Sequence, residues 1–257
     1  MKYIILICTL FFALKQVNAQ CGLDSPEDFS NLKTGGGGCL GDDEWLRVNS
    51  TQVSSASSGS CLAFSGTTCA IAIYSETYDL DCAFCISFSI DIRRSATSDG
   101  IAFSFVNYSH TGAGAGDVCR TSHGCDEGGN IGYNRLTPAN NKSSVNIEFD
   151  IFDNSSDGDA DEDSGGDYCE HVAVHHNGDN SDFIGSYGHD AFSCVPGLGN
   201  NGSNDVEICW DPLTEAMEVR IDGVTHIRLD DFDMADYVGG NEVNFTISSG
   251  FNDVFFG

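Results

Sequence analysis

The strongest constraint on this chain is a strict alternation of apolar and polar residues in short runs, clearest over Phe84–Ile92. Phe84, Ile86, Phe88, Ile90 and Ile92 fall on one face of an extended segment, and Cys85, Ser87, Ser89 and Asp91 on the other. A period of two with one apolar face belongs to an antiparallel strand lying on a core. Similar runs, separated by Ser, Gly, Asn and Asp, predict strands at 60–64, 69–75, 100–106, 145–152, 171–176, 206–210, 216–221 and 242–248. Asp211-Pro212 and Asp222-Gly223 bracket the 216–221 run with turn chemistry. No helical period persists for ten residues and no internal repeat is present, so the expected fold is all-β, a single large sandwich of antiparallel sheets.

Residues 1–19 carry Lys2, an apolar run from Tyr3 to Leu14, and Val17-Asn18-Ala19 with an apolar and a small residue at −3 and −1. This is the pattern of a secretory signal peptide. The run is too short for a membrane span, and no later stretch reaches the ~18 uninterrupted apolar residues a span needs. The mature protein is therefore expected to be secreted and extracellular, with no membrane insertion. Of twelve cysteines, Cys8 leaves with the signal, and the remaining eleven read as disulfides with one left over. Cys82 and Cys85, three apart, would point to opposite strand faces, which favours separate disulfide partners over a C-x-x-C metal or redox site. N-x-S/T sequons at Asn49, Asn107, Asn141, Asn154, Asn201 and Asn244 predict a glycoprotein. The net charge of −28 excludes nucleic acid as a partner, because phosphate binding needs clustered Lys and Arg.

Much of the acid is concentrated after residue 145, where VNIEFDIFDNSSDGDADEDSGGDYCEHVAVHHNG reads as two strands around a carboxylate-rich loop. Alternation puts Val145, Ile147, Phe149 and Ile151 on one face, and Asn146, Glu148, Asp150 and Phe152 on the other. Glu148 and Asp150 then stand about 7 Å apart on one face, where they repel each other unless a cation or a proton intervenes. A hard divalent cation taking six to eight oxygens, Ca²⁺ above all, fits such a loop. His171 opens the next strand, and a neutral imidazole there suits a transition metal better than calcium. Asp159-x-Asp161-x-Asp163 with Glu170 imitates an EF-hand loop, but the glycine is displaced to Gly165 and no helices flank it.

In order along the chain, five segments resemble the legume-type (L-type) lectins of the concanavalin A-like superfamily. These are Ala72-Ile73-Tyr74-Ser75 with Phe84–Ile92, Asp99-Gly100-Ile101-Ala102-Phe103, Gly128-Gly129-Asn130-Ile131-Gly132-Tyr133, residues 145–154, and Asp211-Pro212 with Ile221-Asp222-Gly223. The resemblance runs from about Ser60 to Gly250 and implies a concanavalin A-like jelly roll. It implies a carbohydrate site built on Ca²⁺ and a transition metal such as Mn²⁺, with glycans or glycoproteins as partners and no enzymatic activity. Residue by residue it assigns Glu148, Asp150, Phe152, Asn154 and His171 to the metals, and Asp99, Gly129 and Asn154 to the sugar. Asn154 would serve both, so its sequon is expected to carry no glycan. The family's second bridging aspartate falls on Gly166 here, and Asp167 is the substitute expected. The resemblance also implies a cis bond between Ser98 and Asp99, and Tyr133 or Phe152 as a sugar-stacking ring.

The implied organisation is a signal at 1–19, a Gly-, Asp- and Cys-rich extension at 20–44 and an L-type lectin-like domain at 45–257. Family members carry a further strand after the segment matching Phe245-Thr246-Ile247-Ser248-Ser249-Gly250, so a missing C-terminal strand and an open sheet edge are expected. Two rival functions share the sandwich. Glu148 to Asp153 nearly matches the E-x-D-x-x-E strand of laminarinase-type β-glucanases, although Asp153 is one methylene short of the second glutamate. The other rival is an adhesive module in which sugar binding has been lost.

Overall fold

The computed structural model describes residues 70–92, 100–107, 131, 144–152, 169–177, 184, 187–199 and 202–249, with the backbone of short strands at 33–34, 45–48, 53–55, 62–64 and 254–256. The strands in chain order are β1 (Lys33–Thr34), β2 (Trp45–Val48), β3 (Val53–Ser55), β4 (Leu62–Phe64), β5 (Ala70–Asp79), β6 (Phe84–Ile92), β7 (Gly100–Asn107) and β8 (Ser144–Asp150). They continue as β9 (His171–His176), β10 (Phe192–Cys194), β11 (Asn204–Asp211), β12 (Ala216–Ile221), β13 (Val224–Leu229), β14 (Glu242–Ser249) and β15 (Val254–Phe256). Among the described residues one α-helix, α1 (Met234–Val238), is capped by the Asp233 carboxylate, which accepts from the Asp236 N–H, and by Gly239 in the left-handed region at φ 75°.

Two sheets form. The first has the order β1-β2-β5-β14-β7-β8-β9-β10 and the second β13-β12-β11-β6-β15-β4-β3. Every pairing is antiparallel except β1 with β2. The predicted all-β sandwich is therefore present. The predicted strands at 84–92, 171–176 and 216–221 have the observed bounds, whereas β1, β2, β3, β10, β13 and β15 were not anticipated. β15 pairs with both β4 and β6, so a strand after residue 250 does occupy the second sheet.

The core lies between the sheets and is strongly aromatic. Phe88 of β6 stacks on Phe103 of β7 with centroids 5.3 Å apart and meets Phe149 of β8 edge-on at 6.4 Å. Phe245 of β14 stacks on Tyr78 at 3.9 Å and touches Phe84, Phe103 and Phe105. Offset and edge-to-face contacts of this kind add to the area each ring buries. Trp210 joins the core and satisfies its ring N–H by donating to the Leu80 carbonyl at 2.8 Å.

Disulfides reinforce both sheets. Cys85–Cys209 joins directly paired residues of β6 and β11, and Cys169–Cys194 ties the approach to β9 onto β10. Cys82 is also disulfide-bonded, so Cys82 and Cys85 have separate partners, as expected. Cys82 lies in the turn before β6 rather than within a strand.

Candidate functional site

The centre of the first sheet is buried on both faces. β7 and β8 are buried throughout, and β9 is buried up to His176, which is half-buried. Their inward face carries the core residues Phe103, Phe105, Val145, Ile147, Phe149, Val172 and Val174. The opposite face carries Ser104, Asn146, Glu148, Asp150, His171 and His175, with Thr246 and Ser248 of β14 beyond, all at 1% exposure or less. A sheet normally buries its apolar face and wets the other, and here the polar face is buried too.

Register assembles this face. Asp150 lies opposite His171, Glu148 opposite Ala173 and Asn146 opposite His175. On the other flank Asp150 faces Gly100 and Glu148 faces Ala102. Glu148 thus stands between two alanines, Ala102 and Ala173. Gly100 is required by closeness rather than by turn geometry, because a Cβ there would overlap the Phe149 carbonyl oxygen and approach Asp150 Cα within 3.1 Å. This gives the glycine of the Asp99-Gly100 motif a physical reason.

The ionisable groups are held in specific ways. The Phe152 N–H donates to Asp150 Oδ1 at 2.6 Å, which fixes the carboxylate where β8 ends. His171 Nδ1 lies 3.1 Å from the Cys169 carbonyl oxygen. A carbonyl only accepts, so the proton is on Nδ1 and the lone pair is on Nε2, as in metal-ligating histidines. Burial lowers the His171 pKa to about 4, against the raising effect of the Cys169 carbonyl, and nearby His175 lowers it further. The ring is therefore neutral at physiological pH, the form that can coordinate a metal. His175 Nε2 approaches Glu148 Oε2 to 3.3 Å without meeting hydrogen-bond geometry.

Glu148, Asp150 and His171 are thus brought together on one buried face, with Phe152 immediately after the strand. Reading Glu148 and Asp150 as solvent-facing acids on an edge strand does not hold, since β8 is interior to the sheet and both acids are fully buried. Asp99, Gly129, Asn154 and Asp167 lie outside the described residues, as do the Ser98–Asp99 bond, Tyr133 and Asp153. Among the described residues no three His, Cys, Asp or Glu side chains converge closely enough to hold a metal by themselves. The period of two that places His171 on this face places His175 there as well.

The remaining polar cluster is on the outer face of the second sheet. Arg220 there donates to Glu207 at 2.6 Å and to Glu218 at 2.5 Å, and these hydrogen bonds and charges raise its pKa. This is a partly exposed charge network of the kind that adds little stability.

No protein-family model and no curated protein sequence matches the chain. Solved structures do match. The metal-free form of lectin I-B4 from Griffonia simplicifolia aligns with a TM-score of 0.57 at 15% identity, over 82% of this chain and 89% of that one. A Bauhinia forficata lectin in complex with GalNAc aligns with a TM-score of 0.57 at 15% identity, over 82% and 88%. The carbohydrate recognition domain of Emp46p, in a potassium-bound form, aligns with a TM-score of 0.53 at 13% identity, over 82% and 84%. These likenesses, over most of both chains, show that the chain has the concanavalin A-like two-sheet sandwich fold of the legume lectins and L-type lectin domains.

Proposed function

We propose that the protein is a secreted, metal-dependent carbohydrate-binding protein. The observation that carries this reading is the buried polar face of the central strands, where two carboxylates and a neutral imidazole share one side of β8 and β9. Burying two like charges side by side costs several kcal/mol for each ion, and a cation removes most of that cost. Glu148, Asp150 and His171, which do not converge closely enough to hold a metal by themselves, would hold the transition metal, Mn²⁺ or a similar ion, only together with Asp167. Asp150 would also serve Ca²⁺, with the Phe152 carbonyl, Asn154 and Asp167. The metals supply fixed positive charge that orders the loops around them. Asp99, the Gly129 N–H and Asn154 would then present acceptors and donors to sugar hydroxyls.

The disulfides support a secreted protein, since such bonds persist in oxidising compartments. Among the described residues no helix is long and apolar enough to cross a membrane. Against the glucanase reading, Glu148 is fully buried beside His175, where a nucleophile would need access to a glycosidic bond. A glycan array read with and without EDTA tests the proposal. Binding should be lost on chelation and in Asp99→Ala and Asn154→Ala, and binding indifferent to both treatments overturns it.

A further inference from the structure

We infer that His226 is an acid-sensitive latch joining the edge strands of the two sheets. β10 ends the first sheet and β13 ends the second, and the two strands pack against each other along one edge of the sandwich. Val219 opposes Ile227 and Arg220 opposes Thr225, which leaves His226 as the extra residue of a β-bulge. Bulges at sheet edges re-aim side chains. Thr225 bonds Glu218 on the outer face and Ile227 belongs to the core, while His226 between them reaches β10, where its Nδ1 lies 3.1 Å from Ser193 Oγ. Ser193 opposes the core residue Val172, so it points between the sheets and the contact bridges them. Both residues are half-buried. A charge placed here loses part of its hydration, and that lowers the His226 pKa below its ordinary value of 6.5, against the raising effect of Asp222. Around the ring, Cys194 of β10 is disulfide-bonded, β9 turns Val172 and Val174 to the core, and Glu218 and Arg220 of β12 bond each other on the outer face. The 3₁₀ turn Gly188–Ala191 before β10 carries His189 and Asp190, and Arg228 on β13 pairs with Asp230. In an opened edge the solvated ring keeps its ordinary pKa, so a proton binds the open form better than the closed one. The latch is therefore fully closed above pH 6.5 and loses its hold as pH falls from there toward the lowered value.

The obvious rival is a hydrogen bond that merely fills the edge and does not respond to acid. Native-state amide exchange of the full chain, corrected for the intrinsic rate at each pH, separates the two in wild type, His226→Gln and Ser193→Ala. Between about pH 7 and about pH 5.5 the wild-type amides of β10 and β13 should lose roughly two- to tenfold in protection relative to those of β7 and β8, which report opening of the whole domain. His226→Gln stays neutral at both pH values, so its edge protection relative to β7 and β8 should not change with pH. Ser193→Ala removes the partner and should lower edge protection already at about pH 7. Wild-type edge protection that does not fall relative to β7 and β8, an equal fall in His226→Gln, or unaltered edge protection in Ser193→Ala overturns the inference. Should the variants fail to fold, the wild-type His226 ring resonances decide: a titration midpoint below the ordinary 6.5 supports the latch, and one at or above it overturns it.

Discussion

Replacing both Cys169 and Cys194 by serine probes how the fold presents His171. The bond spans a sequence separation of 25. Constraining a loop of that length in the unfolded chain is worth about 3.5 kcal/mol at 25 °C by the chain-entropy relation, a large part of the ~5–15 kcal/mol that holds a typical domain folded. The folded state keeps other ties at the same place. The Val195 N–H donates to the Glu170 carbonyl at 2.7 Å, and Glu170 Oε2 accepts from the Gly197 N–H at 2.6 Å and from the Gly199 N–H at 3.4 Å. The double variant should therefore fold, with its stability in EDTA lowered by about 3.5 kcal/mol and its m-value raised, because the unlinked unfolded chain is less compact. The same disulfide anchors the residue whose carbonyl accepts the His171 Nδ1 proton. Loosening it should cost roughly tenfold in Mn²⁺ affinity, the scale expected for an outer partner of a ligating histidine. A variant that loses the stability but binds Mn²⁺ like the wild type would refute the argument that this clamp orients His171.

Two further outcomes follow from the geometry. Gly100→Ala should destabilise by about 3 kcal/mol and reduce metal binding, because β7 must back away from the Phe149 carbonyl, a backbone group that cannot turn aside as a side chain can. Gly199→Ala should cost less, since the nearest atom is the Ile151 side-chain tip at 3.0 Å; equal urea midpoints for the two variants would contradict this. Glycopeptide mapping should find Asn107 and Asn244 unmodified, because both amides are buried and donate to the Val238 and Tyr74 carbonyls at 3.0 and 3.3 Å. Asn154 should be bare as well if it serves a metal, and a glycan at Asn154 would count against its assigned role.

The sandwich was legible because its longer strands alternate cleanly and are closed by turn residues, as β6 and β12 show. Strands of two to four residues, such as β1, β3 and β10, are too short to display a period. In β13, VTHIRL, the burial is uneven and the pairing with β12 is irregular between Val219 and Arg220, so the alternation is blurred. For the site, parity alone placed Glu148 and Asp150 on one face. Register was not readable, and it is register that sets Asp150 against His171 and Gly100. Alternation in β8 separates a polar from an apolar face but does not reveal that both are covered, and all seven residues are buried. Local pattern and tertiary environment disagree at this point, which is where functional sites are expected.

The central claim, that sugar binding depends on metal held by Glu148, Asp150 and His171, is tested most directly by reconstitution. The chelated protein is applied to the glycans it binds in its native state, and Ca²⁺ and Mn²⁺ are added back singly and together. Binding should be absent after chelation, return in full with both ions, and fail to return in Asp150→Asn. Chelated protein that binds as well as the reconstituted protein, or full recovery in Asp150→Asn, would contradict the account.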